Sequence, residues 1–120
     1  MIQRLSTGVI STALIGPNSL FREGLKRVLP PPYQVKTVSE TIDLVEQIVE
    51  QDLIILIAGT DQADLPAQVQ RAKEENASAR VVVISDINTS EALWPLLAAG
   101  ADGYLLRTIS LEALLASLDI

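Results

Sequence analysis

A chain of 120 residues with neither cysteine nor histidine is long enough to bury one core unaided, and it forgoes disulfides, thiolate metal sites, a histidine base and a histidine pH switch. With 48% hydrophobic but only 3% aromatic residues, that core must be aliphatic, as in a sheet covered on both faces. A net charge of −6 repels phosphate backbones, which argues against direct nucleic-acid binding by this segment and favours protein partners.

The opening MIQRLSTGVIS has one basic residue and no long hydrophobic stretch, so it does not read as a signal peptide. The first strand is expected within residues 9–15. Gly16-Pro17 breaks it, and Asn18 or Ser19 caps a helix whose apolar face is Leu20, Phe21, Leu25, Val28 and Leu29. Pro30-Pro31-Pro32 ends that helix and leads into a short strand, 33–38. A second helix is expected from Ser39 or Thr41, with Ile42, Val45, Ile48 and Val49 at helical spacing. Residues 53–58 are apolar throughout, as in a central strand buried on both faces, and this run is far too short to span a bilayer.

A helix over 64–75 carries a thin stripe of Leu65, Val69 and Ala72. Val81 to Ile84 form another buried strand. Residues 88–99 read as a helix stopped by Gly100, with Pro95 loosening its first half. Gly103–Leu106 is the fifth strand, and Ser110 caps a last helix, Leu111–Leu118. Strands and helices alternating in this way predict an α/β fold of the flavodoxin-like, doubly wound type. It is a five-stranded parallel sheet of order 2-1-3-4-5 between two helical layers. The functional crevice of such a sheet lies beyond the carboxyl ends of its strands. That edge comprises Gly16-Pro17, residues 57–60, Ser85-Asp86 and Arg107-Thr108.

Two segments, NSLFREGLKRVL (18–29) and AAGADGYLLR (98–107), together resemble the first helix and last strand of the receiver domain in LuxR-type response regulators, the NarL/FixJ subfamily. The resemblance covers nearly the whole chain. It implies a phosphate-switched module with two acids after the first strand and an aspartate ending the third, which hold Mg²⁺ and supply a carboxylate nucleophile. A hydroxyl after the fourth strand and a lysine after the fifth bind the phosphoryl oxygens. Aligned on LFREGL and DLIILI, the sequence has Gly16 and Pro17 at the acidic pair and Ile57 at the phosphoacceptor. Ser85 matches the hydroxyl, Arg107 stands at the lysine, and Tyr104 matches the aromatic that rotates on activation. The expectation is a degenerate receiver without catalytic activity, metal or cofactor.

Asp61 and Asp86 are the candidates for a relocated phosphoacceptor, and an ion pair with Arg107 is the simpler role for either. Ser85 and Arg107 are candidates for a small anion site. Trp94 is expected in the core. STGVIST (6–12) is superficially like a flavodoxin phosphate loop, but it precedes the first strand instead of following it. The resemblance further implies a cytoplasmic location, a histidine kinase or other regulatory partner, and a helix-turn-helix DNA-binding domain beyond residue 120. Homodimerisation is expected through the fourth helix, fifth strand and last helix, or through the first and last helices, given Leu96, Leu97, Leu111, Leu114, Leu115 and Leu118. The alternatives are a stand-alone adaptor for a histidine kinase and a flavin- or nucleotide-binding protein of the same fold.

Overall fold

The computed structural model describes residues 8–40, 48–58, 64–86 and 90–118. Among these, the elements run β1 (Ile10–Ile15), α1 (Ser19–Val28), β2 (Tyr33–Ser39), β3 (Leu53–Ile57), α2 (Leu65–Glu75), β4 (Arg80–Ser85), α3 (Ser90–Ala99), β5 (Gly103–Leu106) and α4 (Leu111–Leu118). The five strands form one sheet of order β2-β1-β3-β4-β5. Every neighbouring pair is parallel. This is the expected doubly wound arrangement.

Side chains alternate across a strand, so the unbroken aliphatic run of β3 feeds two cores. Ile54 and Leu56 join Ala13, Ile15, Val81 and Val83 beneath α2 and α3, which contribute Leu65, Val69, Ala72 and Leu96. Leu53, Ile55 and Ile57 join Leu14, Val82 and Ile84 on the other face, under Leu25 of α1 and Leu114 and Leu118 of α4. Each of the valine, leucine and isoleucine side chains among them contributes about 1.5–3 kcal/mol on burial. The two edge strands are only partly covered, β2 and β5 having intermediate burial along much of their length.

Local signals set the ends. Asn18 caps α1 by accepting the Phe21 N–H at 3.0 Å, and Ser110 caps α4 by accepting from Ala113 at 3.1 Å. Gly100 ends α3 with φ of 115°. There the Ala101 N–H returns to Leu96 O and the Gly100 N–H to Leu97 O, both at 3.0 Å, closing the helix with a glycine in the left-handed region.

Three expectations need correction. Leu20 and Val28 do not belong to the buried face of α1: Leu20 is 84% exposed and Val28 is exposed too. The helix is turned so that Leu25 and, unexpectedly, Arg22 face inward. Trp94 is 65% exposed instead of core. Leu96 is the buried residue of α3, and two residues along a helix is a rotation of about 200°, which points Trp94 outward. Of the leucines offered as surplus apolar surface, Leu96, Leu114 and Leu118 are buried, whereas Leu97 and Leu111 are exposed. Ser39 ends β2. The helix expected after it falls on residues 41–47, outside the described residues, as do 6 and 7 of STGVIST and Asn88.

Candidate functional site

Parallel strands place all five carboxyl ends on one edge, and the residues singled out in the sequence converge there. Beyond β1, Gly16 prolongs the ladder by donating its N–H to Ser39 O at 2.9 Å. At that point β1 lies hard against β3. A Cβ on residue 16 would stand 2.3 Å from the Ile57 carbonyl oxygen and 2.8 Å from Ile57 Cβ. Only glycine fits such an approach. Pro17 is exposed in the turn that follows, and Ile57 is buried among the aliphatic side chains of the α1 and α4 face.

Sequence reasoning missed Arg22, because an arginine on a short helix reads by default as solvated. It is 7% exposed. Its Nη1 donates to Gly16 O, which fastens α1 to the end of β1. Its Nε is buried with no acceptor. The neighbouring sequence gives no signal of this, since the contact depends on how α1 is rotated.

Arg107 spans the edge. Its backbone N–H extends the ladder to Ser85 O at 2.9 Å, while Ala58 N–H does the same to Ile84 O at 2.8 Å. The side chain turns back across β4, and Nη2 donates to Ala58 O at 2.8 Å. Nη1 lies 3.4 Å from Asp86 Oδ2, the two side chains being 26% and 61% exposed. Such an exposed, long pair is worth about 1 kcal/mol or less. The guanidinium carbon stands 5.5 Å from the centre of the Phe21 ring, within cation–π range. One side chain thus touches α1 and the ends of β3 and β4.

Ser85 is wholly buried. Tyr104 is half-buried against the α2 and α3 core. Asp86 stands beside Arg107, as the simpler of its two suggested roles requires. Asp61 lies outside the described residues.

The chain matches 111 residues of the nitrate/nitrite response regulator protein NarL of Escherichia coli at 31% identity, covering 88% of this chain and 51% of that protein. The chain spans about half the length of the curated relatives it matches. The signal receiver domain of a NarL-type regulator from Mycobacterium tuberculosis superposes with a TM-score of 0.72 at 20% identity, over 92% of this chain and 97% of that one. The chain is similar in sequence to response regulators and shares the fold of their receiver domains. A LuxR-family DNA-binding response regulator from Staphylococcus aureus gives a TM-score of 0.79 at 12% identity, over 92% of this chain and 97% of that one. No family model matches the chain.

Receiver domains use Mg²⁺, and this crevice is poorly furnished for it. The ion wants an octahedral shell of hard oxygens, carboxylates above all. Gly16, Pro17 and Ile57 carry no side-chain oxygen, Ser85 is buried, and Asp86 faces Arg107. Among the described residues no group of three acidic, histidine or cysteine side chains could hold a metal. The described residues do not fit the ion.

Proposed function

We propose that this chain is a degenerate receiver domain: it does not take up phosphate by the aspartyl route and regulates by association instead. The observation that carries this reading is the contact of Gly16 with Ile57. At the position that the resemblance assigns to an acid, Gly16 is packed so closely against Ile57, which stands at the phosphoacceptor position, that a side chain on residue 16 has no room. Ile57 offers no nucleophile, and a phosphodonor would meet no metal to offset its charge.

A domain that forgoes phosphate must switch through differential affinity of two conformations for something else. The occupants in view are a partner protein, a small ligand or a second copy of the domain. We place it in a LuxR-type transcription factor of the cytoplasm, where DNA contact belongs to a helix-turn-helix domain outside these residues. The net charge of −6 agrees with that division of labour. A second reading, an adaptor that docks on a histidine kinase, is favoured by the exposed Trp94 and Leu97 of α3, since tryptophan is enriched at interface hot spots.

The test is incubation with acetyl phosphate or beryllofluoride and Mg²⁺, followed by intact-mass measurement and amide spectra. The expected result is no mass gain and no shifts. A phosphoryl adduct mapped to Asp61 or Asp86 would overturn the proposal.

A further inference from the structure

Between α1 and the segment running from β5 into α4 lies an open groove of about 460 Å³. Its size falls within the range of small-molecule sites, roughly 300–1,000 Å³. Leu20, Phe21, Val28, Ile109, Leu111 and Leu114 form its apolar walls. Three of these, Leu20, Val28 and Leu111, are among the most exposed large aliphatic side chains of the described residues. They are left uncovered although the two cores are complete without them.

Among the described residues one charged side chain lines the groove, that of Arg107, and no acid does. The Arg107 Nε is buried and has no acceptor, and among the described residues the carboxylate paired with the guanidinium, that of Asp86, stands at 3.4 Å and is largely solvated. A buried N–H without a partner costs about 1–3 kcal/mol, so the guanidinium holds unspent capacity for an anion. Asn18, whose Oδ1 is engaged in the helix cap, also lines the groove. Gly24 leaves its floor open, because a Cβ there would meet nothing within 4 Å.

From these observations we infer that the groove binds a small amphipathic carboxylate, its aliphatic part lying between α1 and α4 and its carboxylate on Arg107. Charge complementarity selects the class. A lone cation at an aliphatic wall suits a monoanion with a hydrocarbon body, and a polyphosphate or a sugar would leave the leucines wet. A second copy of the domain is the poorer occupant, because a twofold pairing centred here would set one concavity against another. The inference needs only the groove and Arg107, and holds whether or not the crevice takes phosphate.

The experiment is an amide-shift titration of the chain with octanoate, octan-1-ol and octylamine as matched probes. Octanoate is expected to give saturable shifts confined to α1, residues 107–111 and α4. Its affinity should exceed that of octanol about ten- to hundredfold, the worth of a charge-assisted hydrogen bond, with octylamine weakest. Arg107→Gln should bring octanoate down to octanol and leave octanol unchanged; Arg107→Lys should retain part of the preference. A merely structural role for Arg107 would weaken both probes together. Gly24→Leu fills the groove with no clash at its Cβ and should abolish binding of all probes while the circular dichroism spectrum and melting temperature are kept or raised.

Several results would overturn the inference: no saturable shift through the millimolar range, equal binding of octanol and octanoate, or octanoate binding that survives Gly24→Leu. Sedimentation of the native chain as a dimer that Gly24→Leu dissociates would assign the groove to a second copy instead.

Discussion

Two glycine-to-alanine substitutions, sixteen and twenty-four, should move stability in opposite directions. At Gly24, on the open side of α1, a methyl group meets nothing within 4 Å. Removing a helical glycine there should stabilise the domain by about 0.5–1 kcal/mol. At Gly16 the same methyl group would lie 2.3 Å from the Ile57 carbonyl oxygen. A relaxed carbon–oxygen contact is about 3.3 Å or longer, so the ends of β1 and β3 must part by about 1 Å. Both partners are backbone in the centre of the sheet, where Ile15 pairs with Leu56, and neither can swing aside. Overpacking of this kind costs about 1–3 kcal/mol. The two variants should therefore differ by about 1.5–4 kcal/mol, or on the order of 10 °C in melting temperature for a domain of this size. Urea unfolding followed by circular dichroism, with both variants sharing the native m-value, measures the difference. A Gly16→Ala variant as stable as the native chain would refute the close approach, and with it the argument that a carboxylate cannot be reinstated at this position.

Three further outcomes follow from the contacts. Asp102 accepts the Val81 N–H at 2.8 Å and also meets Lys73 Nζ at 2.8 Å; Asp102→Ala should cost about 1–3 kcal/mol in urea unfolding, chiefly by stranding the Val81 amide, whereas Asp102→Asn, which keeps an acceptor, should cost about 1 kcal/mol or less. The Asn76 side-chain amide donates to the carbonyls of Ile48, Val49 and Gln51, tying the turn before β3 to the end of α2. Asn76→Asp puts a carboxylate against those oxygens, which favours its protonated form in the fold, so its stability deficit should widen as pH rises through the carboxylate range and narrow in acid. Trp94 is the chain's single tryptophan and lies largely in solvent; its emission should be red-shifted and freely quenched by acrylamide, and Trp94→Ala should change stability by about 0.5 kcal/mol or less.

The sheet was legible because β3 and β4 are aliphatic at successive positions, a pattern that only a strand buried on both faces can use. The glycine stop of α3 and the caps of α1 and α4 were legible because each is a local signal. The rotation of α1 was not. Leu20, Phe21, Leu25, Val28 and Leu29 spread over more than one face, and the phase observed, with Leu25 buried and Arg22 reaching the Gly16 carbonyl, is a matter of tertiary contacts. Trp94 was misread because size and apolarity favour the core, whereas the helix phase set by Leu96 decides. At the crevice, the resemblance pointed to Gly16, Ile57, Ser85 and Arg107. The separation of Gly16 from Ile57 and the reach of Arg107 to Ala58 depend on which strands are neighbours and on a flexible side chain, and neither has a sequence period. The groove between α1 and α4 escaped notice for the same reason, since it joins the first helix to the last.

Arg107 is common to crevice and groove, which limits what a ligand can do through it. A carboxylate in the groove competes first with Asp86, whose pairing at 3.4 Å with a largely solvated partner is worth about 1 kcal/mol or less. The bond to Ala58 O at 2.8 Å joins a charged donor to a backbone acceptor and is worth about 1.5–3 kcal/mol, so it outlasts the ion pair. Releasing Asp86 alone couples the groove to the β4 end by at most about fivefold in affinity. Asp86→Asn should accordingly raise the affinity for octanoate, but by no more than about fivefold, as read in the same amide-shift titration. A larger gain would mean that the Ala58 contact yields as well and that the end of β3 moves with the ligand. Weaker octanoate binding by Asp86→Asn would show that Asp86 orients Arg107 for the ligand instead of competing with it.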